Sequence, residues 1–318
     1  MKWSLKKGDG TTPELRKVFL TSLQKIMDVD PRVLVLDADL GGASGFLALK
    51  KSHPNRFIEM GIAEANMIGV AAGLSMQGFI PFLHSFSPFV SRRVADQIYL
   101  EGSFAHNTIN IYASDPGICA ATNGGTHMTF EDIAFMRAVP DTMIFHPADA
   151  VQLGWLVQTL VNEKGVHYIR AGRKAVPDIY EDGSEFKIGK ANLLKSGKDI
   201  LIVSAGELLC EAMNAAGELE QEGISVSVAD MFTIKPFDTE MLSRELPGKK
   251  AVISLENHSV YGGLGSAVAE SMADQAAAVP LRRLGIQDRH GQVGSIDYLK
   301  KEYGLSSADI VKAVRSLI

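Results

Sequence analysis

The sequence predicts an α/β protein of two domains, each a mainly parallel sheet flanked by helices. Short β-branched runs alternate with longer stretches of helical periodicity, as parallel sheets joined through helices require. The strand-like runs are almost continuously apolar, the pattern of strands covered on both faces. At 318 residues the chain has room for two cores of about 150 residues each. Ligands of such sheets gather beyond the carboxyl ends of the strands, which directs attention to the stretches after Asp37, Ser114 and His146.

In chain order, Thr12-Pro13 predicts the start of the first helix, with Thr as cap and Pro at the first helical position. RVLVLDADL reads as a strand, residues 62–77 and 88–101 as helices, INIYAS and TMIFH as strands, 149–163 as a helix and VHYIR as a strand. Around 171–188 periodicity fades while charge, Pro and Gly accumulate, so the first domain is placed at 1–176, a linker at 177–188 and the second domain at 189–318. That second unit shows strands at DILIVSAG, ISVSVADM, AVISLEN and LRRLGIQ, with helices near 206–222, 263–276 and 307–317. Neither an internal repeat nor a low-complexity tract is visible.

With 46% hydrophobic and 22% charged residues and a formal net charge of −5, the composition is that of a soluble globular protein with no electrostatic reason to bind nucleic acid or an anionic membrane. Basic pairs such as Lys249-Lys250 read as solvated surface. Cys119 and Cys210 fall in different predicted domains, which suits a reducing compartment better than a disulfide framework. The opening MKWSLKKGDG is too polar for a signal peptide and no apolar run reaches membrane-spanning length, so a cytoplasmic location is expected.

Several residues stand out. Glu64 is the one carboxylate in GIAEANMIGVAAG; an unpaired carboxylate among apolar groups is costly, and its neutral form is favoured there. A helix-start Glu facing solvent is the alternative. Phe86 and Phe89 in HSFSPFVSRR lie near a strand end, where rings can enclose a flat heterocycle or simply pack the core. Arg92 follows one turn later. Asp39 and Leu40 occupy the loop after the first strand. His127 sits on the Gly-rich loop NGGTHMTFED, where an imidazole can bind substrate or assist proton transfer, and Glu131 and Asp132 read as dipole and capping residues of the next helix. Arg16 and Arg170, with Arg173 beside the latter, are candidates for an anionic tail, because a guanidinium fork matches phosphate or sulfonate oxygens. A solvated basic face is the other reading.

The run RFIEMGIAEANMIGVAAGLSMQGFIPFLHSFSPFVSRRVADQI, continued through GGTHMTFEDIAFMRAVPDTMIFHPADA and VHYIRAGR, resembles the pyrimidine-binding domain of the transketolase family, especially the separately encoded C-terminal subunit of split transketolases. SLENHSVYGGLGSAVAE and YGLSSADIVKAV resemble that family's C-terminal domain. The resemblance implies that Glu64 hydrogen-bonds a pyrimidine nitrogen of thiamine diphosphate, that Phe89 stacks on the pyrimidine with Phe86 walling its pocket, and that Arg92, Asp39 and Leu40 lie near the cofactor. It implies substrate contacts from His127, Arg16 and Arg170, with Asn123 where sugar-using members typically carry an aspartate and Asp115 at about the position of an earlier family histidine. Both departures fall at substrate positions, so an unusual donor or acceptor is expected.

GDG at 8–10 would open a metal and diphosphate site in this family, but no Asn-rich partner follows and it precedes the first helix, so it reads as a turn. No other segment of the sequence offers the diphosphate-binding arrangement that the resemblance implies. A second, N-terminal subunit is therefore expected to supply the Mg²⁺ ligands, in an α2β2 heterotetramer with the cofactor between unlike chains. The function implied is transfer of a two-carbon ketol unit from a ketose phosphate or similar anionic sugar to an aldose. The beta subunit of a 2-oxoacid dehydrogenase and a catalytically inactive regulatory subunit are the alternatives.

Overall fold

The computed structural model describes residues 2–6 and 10–318; Gly8 and Asp9 of the GDG triplet lie outside the described residues. Strands β1 (Val33–Asp37), β2 (Phe57–Glu59), β3 (Ile80–Phe86), β4 (Ile109–Ser114), β5 (Thr142–Phe145) and β6 (Val166–Ala171) form one sheet. A second contains β7 (Asn192–Lys195), β8 (Ile200–Ser204), β9 (Val226–Asp230), β11 (Ala251–Ser259) and β12 (Leu281–Ile286), in the order β12-β11-β8-β9-β7. The short β10 (Thr233–Lys235) leaves the second unit and pairs antiparallel with β5, giving the first sheet the order β10-β5-β6-β4-β3-β1-β2. β7 against β9 is the other antiparallel pair, and the remaining neighbours run parallel.

Alternation along each strand explains the unbroken apolar runs. In the first sheet Val35, Phe82, Tyr112, Phe145 and Ile169 face one hydrophobic cluster, and Leu36, Leu83, Ile111, Ile144 and Tyr168 face another. Side chains two apart share a face, so a strand covered on both sides must be apolar at every position. The helices Leu15–Val29 and Ala150–Leu160 pack together, and Glu64–Met76 packs on β3. No helix among the described residues is long and apolar enough to cross a membrane.

Three details differ from the sequence reading. The first helix begins at Leu15 with no side-chain cap. Thr12 instead joins the segment beyond β6, its N–H donating to the Val176 carbonyl at 2.8 Å and its hydroxyl accepting from the Val176 N–H at 3.1 Å. The helix expected over 88–101 is a 3₁₀ turn at Arg92–Val94 and a short Ala95–Gln97 turn leading into a π-helical Ile98–Phe104. Within the segment read as a linker, Tyr180 and Phe186 are buried. Phe186 packs edge-on against Trp155 of the first unit at 5.4 Å and against Phe232 of the second at 5.9 Å, so apolar burial ties this stretch to both units.

Candidate functional site

Glu64 is the first residue of the Glu64–Met76 helix and is only 3% exposed. Its carboxylate is not alone: Oε1 accepts from Nη1 of Arg93 at 2.7 Å. The same guanidinium lies 4.0 Å from the centroid of the Phe89 ring, within the range where a cation is attracted to an aromatic face. The expectation of a carboxylate among purely apolar neighbours is corrected by this pair. So is the choice of Arg92, which turns away and donates to Glu131 at 2.5 Å. The basic side chain against Glu64 and Phe89 is Arg93, its immediate neighbour in SRR.

Phe86, at the end of β3, and Phe89, in the turn beyond, are tilted with centroids 6.2 Å apart. His127 meets both edge-on, at 5.7 Å from Phe86 and 5.4 Å from Phe89. The loop carrying it needs its glycines: a Cβ on Gly125 would stand 2.4 Å from the carbonyl oxygen of Gly291. Arg93 thus joins Glu64 to Phe89, and Phe89 joins Phe86 and His127. Asn123 is exposed at the end of the Gly117–Asn123 turn.

The loop after β1 is fixed from beneath. Buried Asp37 accepts the Leu40 N–H at 2.6 Å and pairs with Nδ1 of His84 at 3.0 Å, while His84 Nε2 meets the Ser114 hydroxyl at 3.0 Å. Asp39 is exposed in the left-handed region, φ 58°, and its N–H donates to Glu59 at 2.8 Å. Leu40 is half-buried beside it. Arg16 is tied to Glu14 at 3.1 Å and to the Ala43 carbonyl at 3.2 Å.

Arg170 contradicts its expected role. It is fully buried on β6, where Nε donates to Asp132 at 2.8 Å and Nη2 to the Asn257 carbonyl at 2.5 Å. No sugar tail reaches a guanidinium so placed. Asp132, read as a helix-dipole residue, is instead its buried counter-ion. Burial alone would raise the carboxyl, but Arg170, His258 and the Tyr168 hydroxyl outweigh it and hold Asp132 below its ordinary value. The accessible guanidinium of YIRAGR is Arg173. Its N–H and Nε donate to Asp115 at 3.0 and 2.5 Å, and its charge lies 4.9 Å from the Phe86 ring.

Sequence reasoning also missed how the second unit clamps this edge. Asn257 accepts the Ile118 N–H at 2.9 Å and donates to the Pro116 carbonyl at 3.1 Å and to Glu207. A Cβ on Gly117, φ 51°, would fall 2.1 Å from the Asn257 amide oxygen, so glycine meets both the backbone and the space requirement. Glu207 also pairs with His146 at 2.8 Å; its burial is outweighed by His146 and Arg170, which bring its carboxyl down to about 2. The adjoining cavity of about 330 Å³ lies between the units and is lined by Asp115, Cys119, Arg173, Glu207 and Lys300 among others.

Residues 11–178 match the transketolase pyrimidine-binding domain, and residues 189–310 match the transketolase C-terminal domain. The chain belongs to the transketolase family. It is 43% identical to the 6-deoxy-6-sulfo-D-fructose transketolase subunit SqwH of Clostridium sp. (strain MSTE9), the match spanning 95% of this chain and 94% of the relative. It is 34% identical to an apulose-4-phosphate transketolase subunit from Phocaeicola vulgatus, over 95% of this chain and 97% of that one. A solved structure described as a split gene transketolase, inactive beta4 tetramer, superposes with TM-score 0.87 at 37% identity, covering 96% of this chain and 98% of that one.

Proposed function

We propose that this chain is the C-terminal subunit of a split, thiamine diphosphate-dependent transketolase that moves a two-carbon ketol unit from an anionic ketose to an aldose. The observation carrying the reading is the Arg93 guanidinium, a flat nitrogen-bearing group that is hydrogen-bonded to Glu64 while lying over Phe89. An aminopyrimidine presents the same combination of planarity and ring nitrogens, so the residues fit that half of the cofactor. When bound, thiamine diphosphate supplies an acidic thiazolium carbon and an electron sink for breaking the ketose C–C bond.

Glu64 in this reading holds a proton at the pyrimidine ring nitrogen, a general acid–base contribution of about 10²–10⁴ in rate. Phe86 and Phe89 wall the heterocycle and exclude water. His127, edge-on to both rings, presents its imidazole to the hydroxyls of the sugar, with Asn123 at the mouth of the same loop. Arg173, rather than Arg170, takes the anionic tail, and Arg16 borders the loop after β1.

Among the described residues no group of three or more His, Cys, Asp and Glu side chains is placed to hold a metal ion. In this reading Mg²⁺ and the diphosphate are held by an N-terminal partner subunit, in an α2β2 assembly. Of the two relatives, one is named for a sulfonated and the other for a phosphorylated sugar, both anionic. Co-expression with such a partner, addition of cofactor and Mg²⁺, and mass spectrometry across ketose donors and aldehyde acceptors tests the proposal. Two-carbon transfer supports it, and a cofactor-loaded complex that transfers nothing from any ketose removes it.

A further inference from the structure

We propose that Asp115 sets the charge of the tail that Arg173 accepts, so that the donor is a ketose ending in a monoanion such as a sulfonate in preference to a phosphate dianion. This deepens the reading above and rests on it. The charged side chains lining the cavity are three cations, Arg173, Lys174 and Lys300, and three carboxylates, Asp115, Glu207 and Asp297. Lys300 is further engaged by Glu211 at 2.8 Å. In so balanced a lining the second charge of a dianion gains as much repulsion as attraction, because Asp115 offsets Arg173, and its larger cost of leaving water goes unrepaid, whereas a monoanion gives up less.

The geometry divides the Arg173 fork. Asp115, 5% exposed at its side chain, takes the backbone N–H and Nε. Nη1 and Nη2 form no hydrogen bond among the described residues, and the side chain stays 22% exposed beside the cavity. Nη1 and Nη2 thus remain to donate to two oxygens of an incoming oxyanion, beside a charge that Asp115 already offsets. Asp115 occupies the left-handed region at φ 52°, a conformation Asp and Asn share with little strain. Asp115→Asn therefore removes the charge while keeping shape and an acceptor for the Arg173 N–H.

The test compares 6-deoxy-6-sulfofructose with fructose 6-phosphate, which differ at the tail, in the reconstituted complex near pH 8, where the phosphate is a dianion. The wild type should favour the sulfonate in kcat/KM by at least about tenfold, and Asp115→Asn should bring the ratio at least about tenfold toward phosphate. Calorimetric binding of both sugars to a complex carrying Glu64→Gln reads the same order without turnover. If Asp115→Asn does not assemble, Asp115→Ser removes the same charge and is read identically. A wild type that prefers phosphate, or a ratio unmoved by either variant, overturns the inference while leaving the ketol transfer standing. Binding in the expected order with no transfer from any ketose removes the proposed reaction and keeps the role of Asp115.

Discussion

Replacing Arg170 by Ala should unfold the protein more readily without altering its grip on sugar. The side chain is fully buried, and its partner Asp132 is equally buried. Removing the guanidinium leaves Asp132 with the Tyr168 hydroxyl at 2.9 Å and a His258 nitrogen at 3.8 Å. It also strips the Asn257 carbonyl of a donor and so loosens the junction between the units. Breaking a buried pair by deleting one partner costs about 3–5 kcal/mol, because an uncompensated charge remains inside. At about 2–4 °C per kcal/mol for a domain of this size, the melting temperature should fall by roughly 6–20 °C. Urea unfolding of wild type, Arg170→Ala, Asp132→Asn and the double variant gives the coupling energy directly, and the double variant should recover much of the loss. A loss below about 1 kcal/mol together with a raised KM for anionic ketoses would refute the structural assignment and return Arg170 to the substrate.

The accessible neighbour should behave in the opposite way. Arg173→Ala is expected to raise KM for an anionic ketose about 10- to 100-fold with a modest change in stability, checked by steady-state kinetics beside a melting curve. Glu207, held at about 2 by His146 and Arg170 against the cost of burial, should contribute roughly 3 kcal/mol that is fully present above its ordinary value near 4.5 and fades as pH falls toward 2. Glu207→Gln should flatten acid unfolding over that window. Glu256 runs the other way: burial raises it to about 7 despite the N–H groups of Gly265 and Leu264. The folded chain therefore holds a proton that the unfolded chain has lost, and stability falls as pH rises from about 4.5 to 7. Wild type should be less stable at pH 8 than at pH 5, and Glu256→Gln, which cannot titrate, should lose that difference even though its amide NH2 cannot accept both the Leu264 and Gly265 N–H groups; denaturant titration at both pH values reads this.

Much of the architecture is written in local pattern. INIYAS forms β4 over the same six residues, Ile109–Ser114, because a strand buried on both faces leaves no register to guess. Phe86, Phe89 and His127 converge because the last residue of β3, the turn beyond it and the Gly-rich loop meet at the sheet's carboxyl edge. β10 was invisible: three residues following β9 almost at once carry too little periodicity to be read, and their pairing with β5 depends on how the units dock. Arg92 and Arg93 differ by one position, and only the turn that rotates one toward Glu131 and the other toward Glu64 separates them. The true place of Arg170 left a legible trace. A charged residue inside the apolar run VHYIRA, on a strand covered from both sides, has to be paired within the protein, whereas Arg173, beyond the strand end, does not.

Glu64 is proposed to serve the pyrimidine of thiamine diphosphate, and everything else at the site depends on that role. The most direct test is the rate at which the C2 proton of bound cofactor exchanges with deuterium, followed by quenched-flow NMR in the assembled complex. With wild-type chain, exchange should be about 10²–10⁴ times faster than with Glu64→Gln, while both complexes retain the cofactor. Equal exchange rates in two fully loaded complexes would contradict the account.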